Sequence, residues 1–272
     1  MKAIEAPEEF EVPPEQALLV VDIKNYSQLP EAKMAAVRSD LGDILDTVFV
    51  QSALPNLQSL GDAYKDTGDG AIIVLPARHT ARLVDPLLGH LNDALARYDK
   101  MRLASAPPIR LRASVHVGPL TPEHRGDAIN EACRLVDSDR ARQAMTAAED
   151  NGAFLATAIS DAAFRCTVRA GRTPDLKERQ FLRATAHVKG KPGFEESCWL
   201  LAPTVAPAVI SPYLADEDDE LPPPLQDSAG HDGAKREKPD GRQASVRQKG
   251  KASGKARLVQ VGGNYITGPE RS

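Results

Sequence analysis

Along the first 203 positions the apolar residues fall into short runs whose period changes from segment to segment. Ala17-Leu18-Leu19-Val20-Val21 is continuous, the pattern of a strand buried on both faces. Residues 33–51 repeat apolar positions at helical spacing, with Pro30 just ahead of them. Residues 62–65 and 71–75 flank Asp66-Thr67-Gly68-Asp69-Gly70, a hairpin turn signal. A second helical period covers 81–98, residues 109–117 alternate as a strand, and 126–137 read as a helix with Ile129, Cys133 and Val136 on its apolar side. Weaker strand patterns at 153–157 and 184–188 precede a final strand at 197–201, which holds the only tryptophan, Trp199. The order strand, helix, hairpin, helix, strand, helix predicts an α/β (α+β) fold with helices packed on a sheet that the hairpin makes partly antiparallel.

The pattern lapses near Pro203. Beyond it come a charge-poor stretch, the acidic run Asp216-Glu217-Asp218-Asp219-Glu220, three prolines, and a Gly/Ser segment rich in Lys and Arg up to Arg257. So little apolar surface cannot offset the entropy of ordering, which predicts a disordered linker over 204–257. Leu258-Val259-Gln260-Val261 regains strand character. Residues 258–272 therefore read as a tag-like motif whose 258–268 portion could add to the sheet edge of a partner protein, or as a frayed terminus. Residues 1–14, acidic and Pro-rich, are expected to be a flexible N-terminus, leaving 15–203 as one domain.

Composition narrows the function class. A net charge of −4 over 272 residues carries no nucleic-acid signature. No apolar run is long enough to span a bilayer, and the N-terminus is unlike a secretory signal. Three cysteines, an odd count without metal spacing, suit free thiols in a reducing cytoplasm.

Asp22 ends the first strand just before Ile23-Lys24-Asn25-Tyr26-Ser27, a turn ahead of the next helix. Such a carboxylate can hold a divalent cation while nearby backbone N–H groups cradle phosphate, or it can simply cap the turn. Asp69 sits at the hairpin tip, where Asp-Gly is a favoured turn pair without any ligand. If the hairpin pairs with the first strand, neighbouring strands about 4.8 Å apart would let Asp22 and Asp69 converge. Two carboxylates at one sheet end would bind Mg²⁺ together with substrate phosphates. Asn130 and Arg134, four apart, share a helix face that would leave the guanidinium open to phosphate or merely to solvent.

Together these segments resemble the class III nucleotidyl (adenylate/guanylate) cyclases. The first strand with Asp22-Ile23-Lys24-Asn25-Tyr26-Ser27 looks like that family's first metal motif, and Lys65-Asp66-Thr67-Gly68-Asp69 matches its Lys-x-x-Gly-Asp hairpin. Leu111-Arg112-Ala113-Ser114-Val115-His116-Val117-Gly118 resembles its Arg-x-x-x-x-His-x-Gly strand. Gly126-Asp127-Ala128-Ile129-Asn130-Glu131-Ala132-Cys133-Arg134-Leu135 is close to its Gly-Asp-x-Val-Asn-x-Ala-x-Arg-Leu helix, and Val188-Lys189-Gly190-Lys191-Pro192-Gly193 resembles its closing Lys-Gly-Lys-Gly turn. The resemblance implies a ferredoxin-like βαββαβ palm working as a homodimer on a nucleoside triphosphate. By the same resemblance Asp22, Asp69 and the Ile23 backbone carbonyl would bind two Mg²⁺ or Mn²⁺ ions. Lys65 would contact the base, Asn130 would orient the ribose, and Arg134 would stabilise charge at the α-phosphate. Tyr26 and Ser27 would adjoin the nucleotide, and Lys189 or Lys191 would hold the terminal phosphates. The implied product is a 3′,5′-cyclic nucleotide plus pyrophosphate.

Two departures bear on the base. The connection from Gly118 to Gly126 is short, so Glu123 stands at the offset where the family usually has a base-reading Asp. Tyr26 stands where Phe is common, its hydroxyl expected to add a donor near the nucleotide. Short bacterial cyclases of this look include pyrimidine cyclases of antiphage systems, which make cyclic UMP or cyclic CMP. The turn lacks the Gly-Gly-Asp/Glu-Glu-Phe signature of diguanylate cyclases. The alternative is a degenerate cyclase-like module that binds nucleotide or recruits a partner through its tail.

Overall fold

The computed structural model of the chain describes residues 12–191 and 193–214. The expectations for the first eleven residues, for the charged linker beyond 214 and for the 258–272 motif lie outside the described residues.

Seven strands form one mixed sheet: β1 (Glu15–Ile23), β2 (Tyr64–Asp66), β3 (Gly70–Pro76), β4 (Leu111–Pro119), β5 (Leu155–Ser160), β6 (Leu182–His187) and β7 (Glu195–Leu201). Their order is β2-β3-β1-β4-β5-β7-β6. Each neighbouring pair among β2, β3, β1 and β4 is antiparallel, which is the ferredoxin-like βαββαβ arrangement. Only β5 runs parallel to its neighbour β4. Strand β1 lies between β3 and β4, and its apolar run does not alternate because helices cover both faces, Leu19 and Val21 packing on one side and Leu18 and Val20 on the other.

One face of the sheet is covered by α1 (Glu31–Gln51), α2 (Thr80–Val84) and α3 (Leu87–Met101). Leu41, Leu45 and Phe49 of α1 and Leu88, Leu91 and Leu95 of α3 pack there against Leu19 and Val21 of β1 and Ile73 and Leu75 of β3. The single helix expected over 81–98 is two helices, because Pro86 lacks the amide N–H an unbroken helix would need there. Asp85, at the break, accepts hydrogen bonds from the Asp175 and Leu176 amides at 2.7 and 3.1 Å.

The opposite face carries α4 (Asp127–Asp137) and α5 (Asp139–Asp150). Ala128, Ala132 and Val136 of α4 meet Leu18 and Val20 of β1 and Ile72 and Val74 of β3. The Ser114 hydroxyl of β4 donates to the Ala132 carbonyl at 2.6 Å and ties helix to sheet. Helix α5 was not legible in the apolar pattern because its buried side is Ala141, Ala144, Met145, Ala147 and Ala148, which contrast little with their neighbours. Its signal is the N-cap: Ser138 accepts a hydrogen bond from the Ala141 amide. The short α6 (Asp161–Phe164) follows β5, and Trp199 stacks on its Phe164 at 3.8 Å between ring centroids.

The fold also runs past Pro203, where the linker was expected to begin. Helix α7 (Pro207–Ile210) and the 3₁₀ turn Ser211–Leu214 dock on α5. Ile210 is fully buried, Tyr213 donates to Asp150 at 3.0 Å, and the Leu214 carbonyl accepts from Arg140 at 2.6 Å. Apolar residues at 205 and 210 suffice to order this charge-poor stretch once α5 offers a surface.

Candidate active site

The pairing of β1 with β3 places Asp22 opposite Gly70, so the hairpin-tip residue Asp69 lies beside the end of β1. The Ile23 amide donates to the Asp69 carbonyl at 2.8 Å, which pins the tip in place. Gly70 permits this approach: a Cβ there would sit 1.9 Å from the Val21 carbonyl oxygen. Gly68, at φ 90°, makes the turn itself. A second anchor comes from α1, where Arg38 grips the Asp66 carboxylate with two contacts, at 3.0 and 2.8 Å.

Asp22 also faces Arg112 across the β1–β4 pair. The Arg112 guanidinium, 8 % exposed, donates from Nε to Asp22 Oδ2 at 3.0 Å and from Nη2 to the same oxygen. Burial raises the Asp22 carboxyl above its usual value; Arg112 opposes this, while the charges of Asp69 and Asp137 add to it. Next to this pair a cleft of about 180 Å³ is lined by Lys24, Asn25, Arg112, Arg142, Met145 and Thr146. No carboxylate lines it; the acids stand behind the cations, Glu149 on Lys24 and Asp137 on Arg142. Ser27 is exposed in the 3₁₀ turn Tyr26–Gln28 that follows. The Tyr26 hydroxyl, expected to add a donor near the nucleotide, donates to the Met34 carbonyl of α1 at 3.3 Å.

The second group lies along α4. Lys65 of β2 and Glu123 of the β4–α4 connection line one cavity of about 410 Å³, whose apolar walls are Ala63, Ile72, Val74 and Ile129. Asn130 is exposed on α4. Arg134, one turn on, lies over the Phe194 ring, 5.6 Å from guanidinium carbon to centroid. Its Nε is buried without a hydrogen-bond partner. Lys65 and Lys191 both bear on the Cys133 thiol, which burial nonetheless pushes up, so the β6–β7 connection reaches α4 as well. Lys189 is exposed in that connection, and nothing ties it to either group. Among the described residues Lys65, Arg134 and Lys191 have no ion-pair partner. Farther along β4, burial pushes the His116 imidazole down to about 4, and its Nε2 lies 3.2 Å from Glu131.

The donors at the end of β1 suit a hard divalent cation. Asp22, Asp69 and the Ile23 carbonyl offer only oxygen, and among the described residues no cluster of three or more His, Cys, Asp or Glu side chains forms an all-protein cage. That is the chemistry of a Mg²⁺ or Mn²⁺ site completed by substrate phosphates. Residue-by-residue reading of the sequence missed Arg142 and Phe194. Arg142 lies on the unrecognised helix, and Phe194 carries no motif. The signal for Phe194 was a lone aromatic directly after a Lys/Gly turn.

No protein-family model matches the chain, and no curated protein does. Solved structures do. The guanylyl cyclase domain of the RhoGC fusion protein from the aquatic fungus Blastocladiella emersonii is 16% identical, with 71% of this chain and 98% of that one covered and a TM-score of 0.43. A cyclase/hydrolase described as adenylate/guanylate, from Silicibacter pomeroyi, is 20% identical over 70% of this chain and 98% of that one, at a TM-score of 0.44. A bacterial light-regulated adenylyl cyclase is 13% identical and scores 0.48; the match covers 75% of this chain but only 58% of that one.

Proposed function

We propose that the chain is a nucleotidyl cyclase that converts a nucleoside triphosphate to a 3′,5′-cyclic nucleotide and pyrophosphate, with Asp22 and Asp69 as its metal carboxylates. The observation that carries this reading is their placement side by side at one sheet end by the β1–β3 pairing. A Mg²⁺ or Mn²⁺ pair bound there would acidify the ribose 3′-hydroxyl and neutralise phosphate charge. In the reaction the 3′-oxygen bonds to the α-phosphorus, and the bond from that phosphorus to the bridging oxygen breaks, releasing pyrophosphate.

The remaining roles follow from the side chains. The guanidinium of Arg134, whose buried Nε has no hydrogen-bond partner among the described residues, would face charge building on the α-phosphate. Asn130, four residues earlier on α4, orients the ribose. Lys24 and Arg142, in the acid-free cleft beside Asp22, draw the phosphate chain to the carboxylates, and Lys191, with Lys189, supplies further positive charge. The site is completed by a second copy of the chain. This is supported by the partly uncovered Ala63, Ile129 and Cys133 beside α4, where the apolar cluster is left open.

Lys65 can donate and Glu123 accept within one cavity, which suits a base edge carrying an acceptor next to an N–H: a carbonyl and ring N–H in guanine and uracil, a ring nitrogen and amino group in cytosine and adenine. With Glu123 replacing the usual Asp on a short connection, we favour a pyrimidine, and hence cyclic UMP or cyclic CMP in an antiphage signalling setting. Turnover of ATP alone would overturn the base assignment.

A second reading rests on Arg112. Its guanidinium already occupies Asp22, as expected of a nucleotide-binding module that recruits a partner without turnover. One assay separates the two. Purified protein is incubated with ATP, GTP, CTP and UTP plus Mn²⁺, and products are identified by mass spectrometry. The cyclase reading expects a cyclic nucleotide and equimolar pyrophosphate. Nucleotide binding without any product establishes the module instead.

A further inference from the structure

Arg134 is the cation on which the proposed chemistry depends, and its surroundings are unusual. Most partly buried arginines on this chain are held by carboxylates or carbonyls: Arg38 by Asp66, Arg102 by Asp99 and the Ala106 carbonyl, Arg112 by Asp22. Such partners fix a guanidinium by occupying its N–H donors, and a carboxylate also cancels its charge. Arg134 is held differently. Its contact is the Phe194 ring, and its buried Nε has no partner.

A ring attracts a guanidinium through its quadrupole and accepts none of its five donors in the ordinary sense. Phe194 is therefore suited to place an arginine while leaving its Nη donors and its charge open to an incoming phosphate. The backbone holds the ring firmly. The Lys191 amide donates to the Val188 carbonyl and the Phe194 amide to the Lys191 carbonyl, both at 3.0 Å, so two successive turns fold the β6–β7 connection back. Phe194, 6 % exposed, then enters the cluster formed by Leu135 of α4 and Ala141, Ala144 and Met145 of α5. We propose that Phe194 is a positioning residue for the phosphoryl-transfer step, holding the Arg134 guanidinium in register with the α-phosphate without occupying its donors. This inference rests on the cyclase reading for its catalytic consequence but not for the contact itself.

Phe194→Met keeps an apolar side chain of similar reach and removes the ring, whereas Phe194→Tyr keeps the ring. Two readouts apply, on variants whose thermal midpoints stay close to the parent. In the first, the Arg134 Nε–H resonance is assigned by its loss in Arg134→Lys. It is expected ring-current shifted in the parent and in Phe194→Tyr, and moved toward the free-arginine position in Phe194→Met. In the second, Phe194→Met should lower kcat about tenfold with little change in KM. Phe194→Tyr should restore kcat, and in an Arg134→Ala background Phe194→Met should cost nothing further. An Arg134 resonance indifferent to Phe194→Met overturns the contact. A resonance that moves while kcat does not, or a kcat loss that persists in the Arg134→Ala background, overturns the positioning role. If the parent turns over no nucleotide, the cyclase reading fails and the catalytic role with it, while the resonance still decides whether Phe194 holds Arg134.

Discussion

Arg112 and Arg134 carry the same side chain on the same face of one sheet, and the protein uses them in opposite ways. Arg112, on a central strand, is locked on the Asp22 carboxylate; Arg134, on a helix over that face, rests on an aromatic ring with a buried N–H unpartnered. The first arrangement sets a guanidinium against a carboxylate whose ionisation burial opposes. The second leaves a guanidinium with no carboxylate partner among the described residues. One guanidinium is fixed by a carboxylate across two strands, the other by a ring packed between two helices, so the same side chain is held by different forces at the two places. A buried charge without a partner is costly, so a fold retains one only where something else constrains it.

The largest effect that can break this comparison is on turnover. Asp22→Asn should abolish pyrophosphate release, a loss of roughly 10³-fold, and Asp69→Asn should do the same. Persistent activity in either would remove the carboxylate pair from the site. Arg134→Ala should lower kcat about 10²-fold while changing folding free energy by under about 1 kcal/mol. Arg112→Ala should instead destabilise the fold by on the order of 3 kcal/mol, because Asp22 is left partly buried without its counter-charge. Equal stability losses in urea titrations of these two variants would erase the contrast. Gly70→Ala should cost about 2–3 kcal/mol, since its Cβ would meet the Val21 carbonyl at 1.9 Å and force β3 off β1.

The smallest effects concern pH, and the two sides should respond in opposite directions. The folded Asp22 carboxyl lies above its unfolded value of 3.8. The folded state thus keeps a proton that the unfolded chain has released, and this contribution to stability falls as pH rises from 3.8 through the raised value. His116 is depressed from 6.5 to about 4, so the unfolded chain binds the extra proton. Its contribution is complete above pH 6.5 and is lost as pH falls toward 4, by at most about 3 kcal/mol. Denaturation profiles of Asp22→Asn and His116→Gln against pH should each lose the corresponding slope. Like slopes in both variants would show that neither group titrates as its surroundings dictate.

Much of the frame was legible along the chain because period reports burial directly. The unbroken run at 17–21 announced a strand covered on both faces, and Asp66 to Gly70 announced the turn that brings Asp69 to it. Helix α5 was not legible, since alanines provide little contrast between a buried and an exposed side, and the low-charge stretch at 204–214 looked like linker until α5 provided a surface for Ile210. Asp22, Asp69, Asn130 and Arg134 were candidates on spacing, whereas the Met34 carbonyl as partner of the Tyr26 hydroxyl could not be read there, because spacing does not say which way a hydroxyl turns.

Composition and periodicity are local, so the chain alone was enough to name candidate residues for chemistry and the strongly patterned strands and helices, though not the alanine-rich α5 or the stretch at 204–214. Which charges meet a partner among the described residues was settled by packing. Arg112 and Asp22 are 90 residues apart and Arg134 and Phe194 are separated by a whole βα excursion, so their pairing follows from strand register and helix docking. An arginine has the same letter in either state; whether its donors meet a carboxylate or leave room for a phosphate depends on what packing brings within a few ångströms of it.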